Sequence, residues 1–143
     1  MGNDKDIGTV VLGVIGEDVH IVGARILEYA LSDAGFKVIS LGAQVSQEEF
    51  LEAAIETNAN AILISSFSGH AELLVAGFKE KCMEAGLQNV ILYIGGYLIL
   101  EEKPWEEISK KFVQMGFNRV YPPGTTPTTV TEDLTRDVIV QRR

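Results

Sequence analysis

Short apolar runs alternate with amphipathic segments along the chain, and this alternation predicts a repeating βα fold. The apolar runs, rich in β-branched residues, lie at residues 9–15, 37–41, 61–65, 90–94 and 120–121. Runs of this length and composition are typical of strands that are buried on both faces. Between them, apolar residues recur every three or four positions, as they do in amphipathic helices. Short connections and no linker predict a single domain over residues 1–143.

Capping and breaking residues delimit the predicted helices. Ser46 and Glu49 have the spacing of a capping box, which predicts a helix that runs to about Thr57. Thr126 can cap a last helix that has Pro127 in its first position. After the third strand we predict one helix, whose apolar stripe is Leu74, Phe78, Cys82 and Ala85.

The order of these elements predicts an α/β fold of the flavodoxin-like, Rossmann type. In this fold a doubly wound, five-stranded parallel sheet with strand order 2-1-3-4-5 carries helices on both faces. Ligands bind beyond the carboxyl ends of the strands, where the strand order reverses. At that edge we expect the loop that contains Asp18 and His20 to meet Ser65, which follows the third strand, and Gly95-Gly96, which follow the fourth.

Composition and charge narrow the class of partner. The chain has 143 residues, 46% of them hydrophobic, and a net charge of −8. This acidic balance disfavours binding to nucleic acid or to an anionic membrane. No apolar run approaches the roughly 18 residues that a membrane span needs, and the polar N-terminus does not resemble a signal peptide. The only cysteine, Cys82, excludes a disulfide framework and favours a reducing, cytoplasmic compartment.

Several common uses of the carboxyl edge are excluded because their motifs are absent. The sequence contains no GxxxxGK[ST] phosphate loop and no GxGxxG dinucleotide motif after the first strand. Ser65 stands where a phosphoacceptor receiver domain requires an aspartate. The loop after the first strand carries acids where a flavodoxin has a Ser/Thr-rich phosphate loop.

Asp18 and His20 remain as a candidate ligand pair. A histidine bound to a metal usually donates its other ring N–H to a carboxylate or a carbonyl, and Asp18 could accept it. A zinc site needs three or four protein ligands, whereas the chain has two histidines and one cysteine. A macrocyclic cofactor needs only one axial ligand. Taken singly, the Asp-x-His loop, the glycine pair and the serines are more often structural.

Taken together, three separated segments resemble the DxHxxG…SxL…GG signature of cobalamin-binding domains. The segments are Asp18-Val19-His20-Ile21-Val22-Gly23, Ser65 with Phe67, and Gly95-Gly96. The resemblance covers nearly the whole chain and is closest to the small (S or sigma) subunit of glutamate mutase. The segment Tyr121-Pro122-Pro123-Gly124-Thr125 narrows it to that subunit. Two positions depart from the family pattern: Phe67 stands where leucine is common, and Tyr97 where a small polar residue is frequent.

The resemblance implies a cofactor and a role for each site residue. The cofactor would be adenosylcobalamin in the base-off, His-on form, with His20 as the lower axial ligand of cobalt. Asp18 would hydrogen-bond His20, and Ser65 would hydrogen-bond the displaced benzimidazole. The nucleotide tail would lie in a slot between the sheet and the first helix. The cofactor-binding set implied by the resemblance is Asp18, Val19, His20, Ile21, Gly23, Ser65, Phe67, Gly95 and Gly96.

The resemblance also implies an activity and a partner. The holoenzyme would interconvert L-glutamate and threo-3-methylaspartate by a radical mechanism. The substrate site would lie in a large catalytic (epsilon) subunit, a TIM barrel, within a heterotetramer of two small and two large subunits. No catalytic residue is expected in this chain. Two alternatives stay open, a corrinoid methyl carrier and a non-enzymatic cobalamin-binding module.

Overall fold

The computed structural model describes residues 7–16 and 22–142, in which five strands form one parallel sheet. The strands are β1 (Gly8–Val14), β2 (Phe36–Ser40), β3 (Ala61–Ser66), β4 (Ile91–Gly96) and β5 (Arg119–Tyr121). Their order in the sheet is β2-β1-β3-β4-β5, which confirms the predicted α/β class and strand order.

The helices of the described residues cover both faces of the sheet. They are α1 (Val22–Ala34), α2 (Gln47–Thr57), α3 (Ala71–Leu74), α4 (Phe78–Glu84), α5 (Trp105–Gln114) and α6 (Pro127–Gln141). None of them is both long and apolar enough to traverse a bilayer. Strands β1, β3 and β4 are buried on both sides, as their continuous apolar sequences require.

The sheet separates two hydrophobic cores. On one face, Phe50 of α2, Phe78 of α4 and Phe112 of α5 pack against the alternate strand residues that include Ile62 and Ile64. On the other face, Leu31 of α1 and the α6 residues Val130, Leu134 and Val138 pack against Leu63 and Tyr93. We call this second side the α1/α6 face. Adjacent strand residues serve opposite cores because side chains alternate along a strand.

The predicted single helix after β3 is wrong in one respect, since the segment forms two short helices. Gly77 separates α3 from α4 and has a φ of +76°. A residue in the left-handed region cannot continue a right-handed helix, and glycine adopts it without steric cost. Phe78 and Cys82, two residues of the predicted stripe, are nevertheless completely buried.

The ends of α6 are tied to opposite edges of the sheet. Its first turn is capped as predicted, because the Thr126 hydroxyl accepts the Thr129 N–H at 3.3 Å. At the other end, the Gln141 amide donates to the carbonyl oxygens of Asn89 at 2.7 Å and Asn60 at 3.0 Å. The Arg142 guanidinium donates to the Ile7 carbonyl, just before β1. Helix α6 therefore runs the full depth of the sheet, from the carboxyl edge to the amino edge.

Candidate functional site

A pocket of about 190 Å³ opens at the carboxyl edge, between the sheet and the helices of the α1/α6 face. The lining is mainly apolar and includes side chains from the sheet (Leu63, Tyr93), from α1 (Leu27) and from α6 (Val130). Residues 122–125, which connect β5 to the Thr126 cap of α6, form the outer rim.

The structure brings five of the predicted site residues to this pocket. They come from three elements and the loop after β3, and they are Gly23, Ser65, Phe67, Gly95 and Gly96. The other four, Asp18, Val19, His20 and Ile21, lie outside the described residues. Parallel pairing explains the convergence, because Val14 at the end of β1 lies beside Ser65, and Ser65 lies beside Gly95.

Ser65 contributes a hydroxyl to a mainly apolar pocket. Its carbonyl oxygen accepts a hydrogen bond from the Ile15 N–H at 3.0 Å and so helps to pair β3 with the end of β1. Its side chain makes no hydrogen bond to any other residue that the structure describes. The next residue, Ser66, is wholly buried, and β3 carries it to the opposite face of the sheet. Strand alternation thus selects Ser65, and not Ser66, as the hydroxyl available to a bound ligand.

Glycine stands at the three predicted pocket positions for different structural reasons. A Cβ on Gly96 would lie 2.3 Å from the Ser66 carbonyl oxygen, and the φ of Gly96 is +113°, so the backbone itself requires glycine there. A Cβ on Gly95 would lie 3.2 Å from that of Tyr121. At Gly23, by contrast, Phe67 Cζ is the only atom of the described residues that would lie within 4 Å, at 3.8 Å. The described residues leave that space open, which suits the close approach of a ligand to the backbone.

Several pocket residues were not predicted from the sequence. Tyr93 lies two positions before Gly95 on β4 and therefore faces the same side, so strand periodicity could have identified it. Residues 121–125 carried the family resemblance, but no role in the pocket was assigned to them. Val130 and Pro127 enter the pocket because the Thr126 cap places the first turn of α6 at its rim.

The two tyrosines that line the pocket are hydrogen-bonded to carboxylates of α6 that do not line it. The Tyr93 hydroxyl donates to Asp137 Oδ2 at 2.5 Å, and the Tyr121 hydroxyl donates to Asp133 Oδ2 at 2.7 Å. Arg119 joins the two acids: its Nε is 2.8 Å from Asp137 Oδ2, and its Nη1 is 3.8 Å from Asp133 Oδ2. The two rings meet edge to face with centroids 5.5 Å apart. We call Tyr93, Tyr121, Arg119, Asp133 and Asp137 the tyrosine clamp.

Electrostatics keep Tyr93, Tyr121 and Asp137 each in one protonation state at neutral pH. The hydrogen bonds from Arg119 hold the pKa of Asp137 below its ordinary value of 3.8. Burial, followed by the hydrogen bond to Asp137, raises the pKa of Tyr93. Burial likewise raises the pKa of Tyr121, helped by its bond to Asp133. Asp137 therefore accepts as a carboxylate, while both tyrosines donate as neutral phenols.

The loops after β3 and β4 form a second feature of the carboxyl edge. They are joined by backbone bonds, with Gly69 N–H donating to Tyr97 O at 3.1 Å and Ala71 N–H donating to Leu98 O at 3.2 Å. Three large apolar side chains stand exposed here: Leu73 at 79%, Tyr97 at 51% and Leu100 at 60%. We call these three residues the apolar rim.

In the part of the chain that the structure describes, no group of three or more His, Cys, Asp or Glu side chains could hold a metal ion.

Comparisons with known proteins place this architecture in a family. The family model described as the B12 binding domain matches residues 8–116. A glutamate mutase sigma subunit from Carboxydothermus hydrogenoformans is 54% identical over 129 residues, which are 90% of this chain and 94% of the relative. The chain belongs to the glutamate mutase sigma subunit family. The sigma subunit from Clostridium cochlearium is 46% identical over 133 residues, 93% of this chain and 97% of that relative.

The fold of this sigma subunit family member is shared more widely. The monomethylamine corrinoid protein of Methanosarcina barkeri superimposes with a TM-score of 0.74 and 19% sequence identity. The match covers 94% of this chain and 59% of the corrinoid protein. At this identity the likeness shows a common fold and nothing more specific. The family resemblance stated from the sequence is confirmed by the sigma subunits themselves.

Proposed function

We propose that this chain is the cobalamin-binding subunit of a glutamate mutase that interconverts L-glutamate and threo-3-methylaspartate with a large catalytic subunit. One observation carries the proposal: the match to a sigma subunit is 54% identical and extends over 94% of the relative. The methyl-carrier alternative has less support, because the likeness to a corrinoid protein rests on the fold at 19% identity. The non-enzymatic module also has less support, because relatives at 46–54% identity are named glutamate mutase sigma subunits.

The pocket on the α1/α6 face fits the nucleotide tail of cobalamin. A flat, largely apolar base with ring nitrogens needs an apolar slot and few polar partners. Leu63, Tyr93 and Val130 supply apolar walls, and Ser65 supplies a hydroxyl that can hydrogen-bond the base. The open space at Gly23 gives the tail a close approach to the backbone of α1. We propose that Phe67, Gly95 and Gly96 complete this contact surface.

His20 is proposed as the lower axial ligand of cobalt, with Asp18 as its hydrogen-bond acceptor and Val19 and Ile21 as contact residues. The flanking structure supports this assignment, because β1 ends at the carboxyl edge and Val14 lies beside Ser65. When bound, adenosylcobalamin supplies radical chemistry through its cobalt–carbon bond. The protein contributes ligation, orientation and a shaped slot.

The apolar rim supports a partner at the same edge. Exposed apolar side chains that cluster on one surface commonly mark interaction sites. A large catalytic (epsilon) subunit seated there would enclose the cofactor between the two proteins. We propose a heterotetramer of two small and two large subunits. We also propose a cytoplasmic location, since the described cysteine is a free, buried thiol.

Reconstitution tests the activity directly. The purified chain is combined with adenosylcobalamin, a glutamate mutase large subunit and L-glutamate, and 3-methylaspartate is followed by proton NMR. We expect product only when all components are present, and sedimentation equilibrium should give the mass of two small and two large subunits. Methyl transfer from methylcobalamin to a thiol, without 3-methylaspartate, would instead establish the methyl carrier.

Magnetic resonance tests the axial ligand in the chain alone. In the Co(II) form, labelling the protein with ¹⁵N should change the nitrogen hyperfine pattern if a protein imidazole ligates cobalt. His20→Ala should abolish this dependence on the label. His70→Ala removes the second histidine of the chain, which does not line the pocket, and should preserve the dependence on the label. A hyperfine pattern insensitive to the label in the unmodified chain would reject His-on binding.

A further inference from the structure

We propose that Arg119, Asp133 and Asp137 are positioning residues for the cofactor, because they hold Tyr93 and Tyr121 as a preset wall for the nucleotide tail of cobalamin. The inference rests on the proposed function, which places that tail in the pocket. It adds residues that neither touch the pocket nor belong to the signature motif. It also predicts that these residues raise the affinity for the nucleotide tail of cobalamin and do not affect the affinity for the corrin ring.

The residues that line the pocket are distinct from the residues that hold them. Both tyrosine rings line the pocket, whereas Arg119, Asp133 and Asp137 are not among its lining residues. Each hydroxyl is engaged from behind by a carboxylate of α6, at 2.5 Å for Tyr93 and 2.7 Å for Tyr121. The hydroxyls are therefore committed to the protein, and the rings present their apolar surfaces to the pocket.

One helix controls both rings. Asp133 and Asp137 are four residues apart on α6, so they lie on the same side of the helix. Arg119 on β5 stands between them and binds Asp137 through two nitrogens, at 2.8 and 3.0 Å. A bidentate pair of this kind fixes direction as well as distance. The same helix contributes Pro127 and Val130 to the pocket, so α6 both lines the pocket and carries the two carboxylates.

A preset wall favours binding because no ring has to be immobilised when the ligand enters. Ordering a side chain during association costs the equivalent of about two- to tenfold in affinity. Tyr93 is almost completely buried, and its hydroxyl, without an acceptor, would be left unpaired beside the apolar core. The hydrogen bonds to Asp137 and Asp133 thus avoid two free-energy costs: ordering the tyrosine rings on binding, and leaving their hydroxyl groups without an acceptor.

A purely structural role for the tyrosine clamp predicts a different result. If the clamp only fastened α6 to the sheet, its loss would lower the melting temperature and weaken every ligand of the domain equally. If it positions the rings, its loss weakens ligands that carry the tail and spares those that lack it. Cobinamide has the corrin ring and cobalt of cobalamin without the nucleotide, so the pair of ligands separates the two roles.

The experiment measures dissociation constants for adenosylcobalamin and adenosylcobinamide, with melting temperatures, in the full chain. Tyr93→Phe and Asp137→Asn keep the ring or the acceptor shape while they remove the hydroxyl or the charge. We expect both to weaken adenosylcobalamin about two- to tenfold and to leave adenosylcobinamide unchanged. Tyr121→Phe should act in the same direction through the second pair.

Gln141→Leu is the matched control, because it loosens α6 at the amino edge, away from the pocket. It should lower the melting temperature without changing the ratio of the two dissociation constants. Equal losses for both ligands, or the same ratio change in Gln141→Leu, would overturn the inference. So would failure of both phenylalanine variants to fold, because the clamp would then be a requirement of the fold itself.

The unmodified chain separates this inference from the proposed function. If it binds adenosylcobalamin no more tightly than adenosylcobinamide, the tail does not use the pocket and the proposed binding mode fails first. If it prefers adenosylcobalamin and the clamp variants keep that preference, the proposed function stands and only the positioning role is lost.

Discussion

Gly23 is a pocket residue whose lack of a side chain is not explained by contacts with the described residues. It lies in the first turn of α1, where alanine is intrinsically the better residue by up to about 1 kcal/mol. Among the described residues, a Cβ there would meet only Phe67 Cζ, at 3.8 Å. The proposed nucleotide tail, which needs this space, would account for a glycine at a position where glycine costs helix stability.

Gly23→Ala should therefore move stability and affinity in opposite directions. We expect the free energy of unfolding to rise by up to about 1 kcal/mol, because alanine restricts the unfolded chain and favours helix. Cobalamin binding should weaken by about 1–3 kcal/mol, the usual cost of added bulk in a filled site. Urea denaturation and spectroscopic titration of cobalamin measure the two quantities.

Ser32→Ala provides the control, since it improves helix propensity at an exposed position of α1 away from the pocket. It should change cobalamin affinity very little. Unchanged affinity in Gly23→Ala, or in the bulkier Gly23→Val, would show that no ligand occupies the space beside α1.

At the scale of elements, α6 connects the pocket to the opposite edge of the sheet. Its capped first turn forms part of the rim, its middle carries Asp133 and Asp137, and its last turn is held through Gln141. The hydrogen bonds of Asp137 to Tyr93 and Arg119 depend on a charged carboxylate. The packing of α6 against the sheet should therefore depend on pH.

Asp137 should make the protein less stable in acid. Arg119 holds the pKa of Asp137 below 3.8, so the native state favours the carboxylate more than the unfolded state does. This contribution is fully present above about pH 4 and is lost as the pH falls through the lower native pKa. Urea denaturation between pH 6 and pH 3 should show a decline that is shallower in Asp137→Asn. At neutral pH that variant should be less stable by about 1–3 kcal/mol.

Asp33→Asn, which alters an exposed carboxylate of α1, should leave the shape of that pH profile unchanged. If the stability of Asp137→Asn declines as steeply as that of the unmodified chain, the acid sensitivity comes from other groups.

Local signals explain which elements the sequence predicts well. The capping box of α2 is present, with the Ser46 hydroxyl accepting the Glu49 N–H at 3.1 Å, because both partners lie within one turn. The break between α3 and α4 was missed because the apolar stripe continues in the expected register on both sides of Gly77. Periodicity reports which residues are buried, whereas the left-handed backbone of one glycine is invisible to it.

The pocket was only partly predictable for a related reason. Strand order and parallel pairing bring Ser65 and Gly95 together, and both follow from the βα pattern. The tyrosine clamp joins Tyr93 to Asp137 across 44 positions of sequence, and no local pattern encodes such a pairing. Where a side chain meets a distant partner, only the packed structure identifies that partner.

At the scale of the whole molecule, the two faces of the sheet differ. The face of α2, α4 and α5 packs around Phe50, Phe78 and Phe112, whereas the α1/α6 face contains the pocket at the carboxyl edge. The apolar rim borders the same carboxyl edge, with Leu73 on α3 and Tyr97 and Leu100 in the loop after β4. A partner that covers this edge would contact the protein and a bound cofactor together.

Leu73→Glu should weaken assembly with the large catalytic subunit. Leu73 is 79% exposed in the isolated chain, and burying a leucine contributes about 1.5–3 kcal/mol. We therefore expect the subunit dissociation constant to rise at least tenfold, measured by sedimentation or interferometry, while cobalamin binding by the chain alone is retained. Met83→Glu changes an exposed apolar residue of α4 and should leave assembly intact. Equal effects of both variants would remove the rim from the subunit contact.

The bond from Arg142 to the Ile7 carbonyl has a practical consequence. It brings the beginning of the first strand and the end of the last helix together at the amino edge, remote from the ligand-binding side. A short peptide could join these two points, and the polypeptide could be reopened in the exposed turn at Gly86, giving a circular permutant with the same sheet. A surface anchor placed at this junction would leave the opposite side free, so the domain could be immobilised on a sensor without masking its ligand.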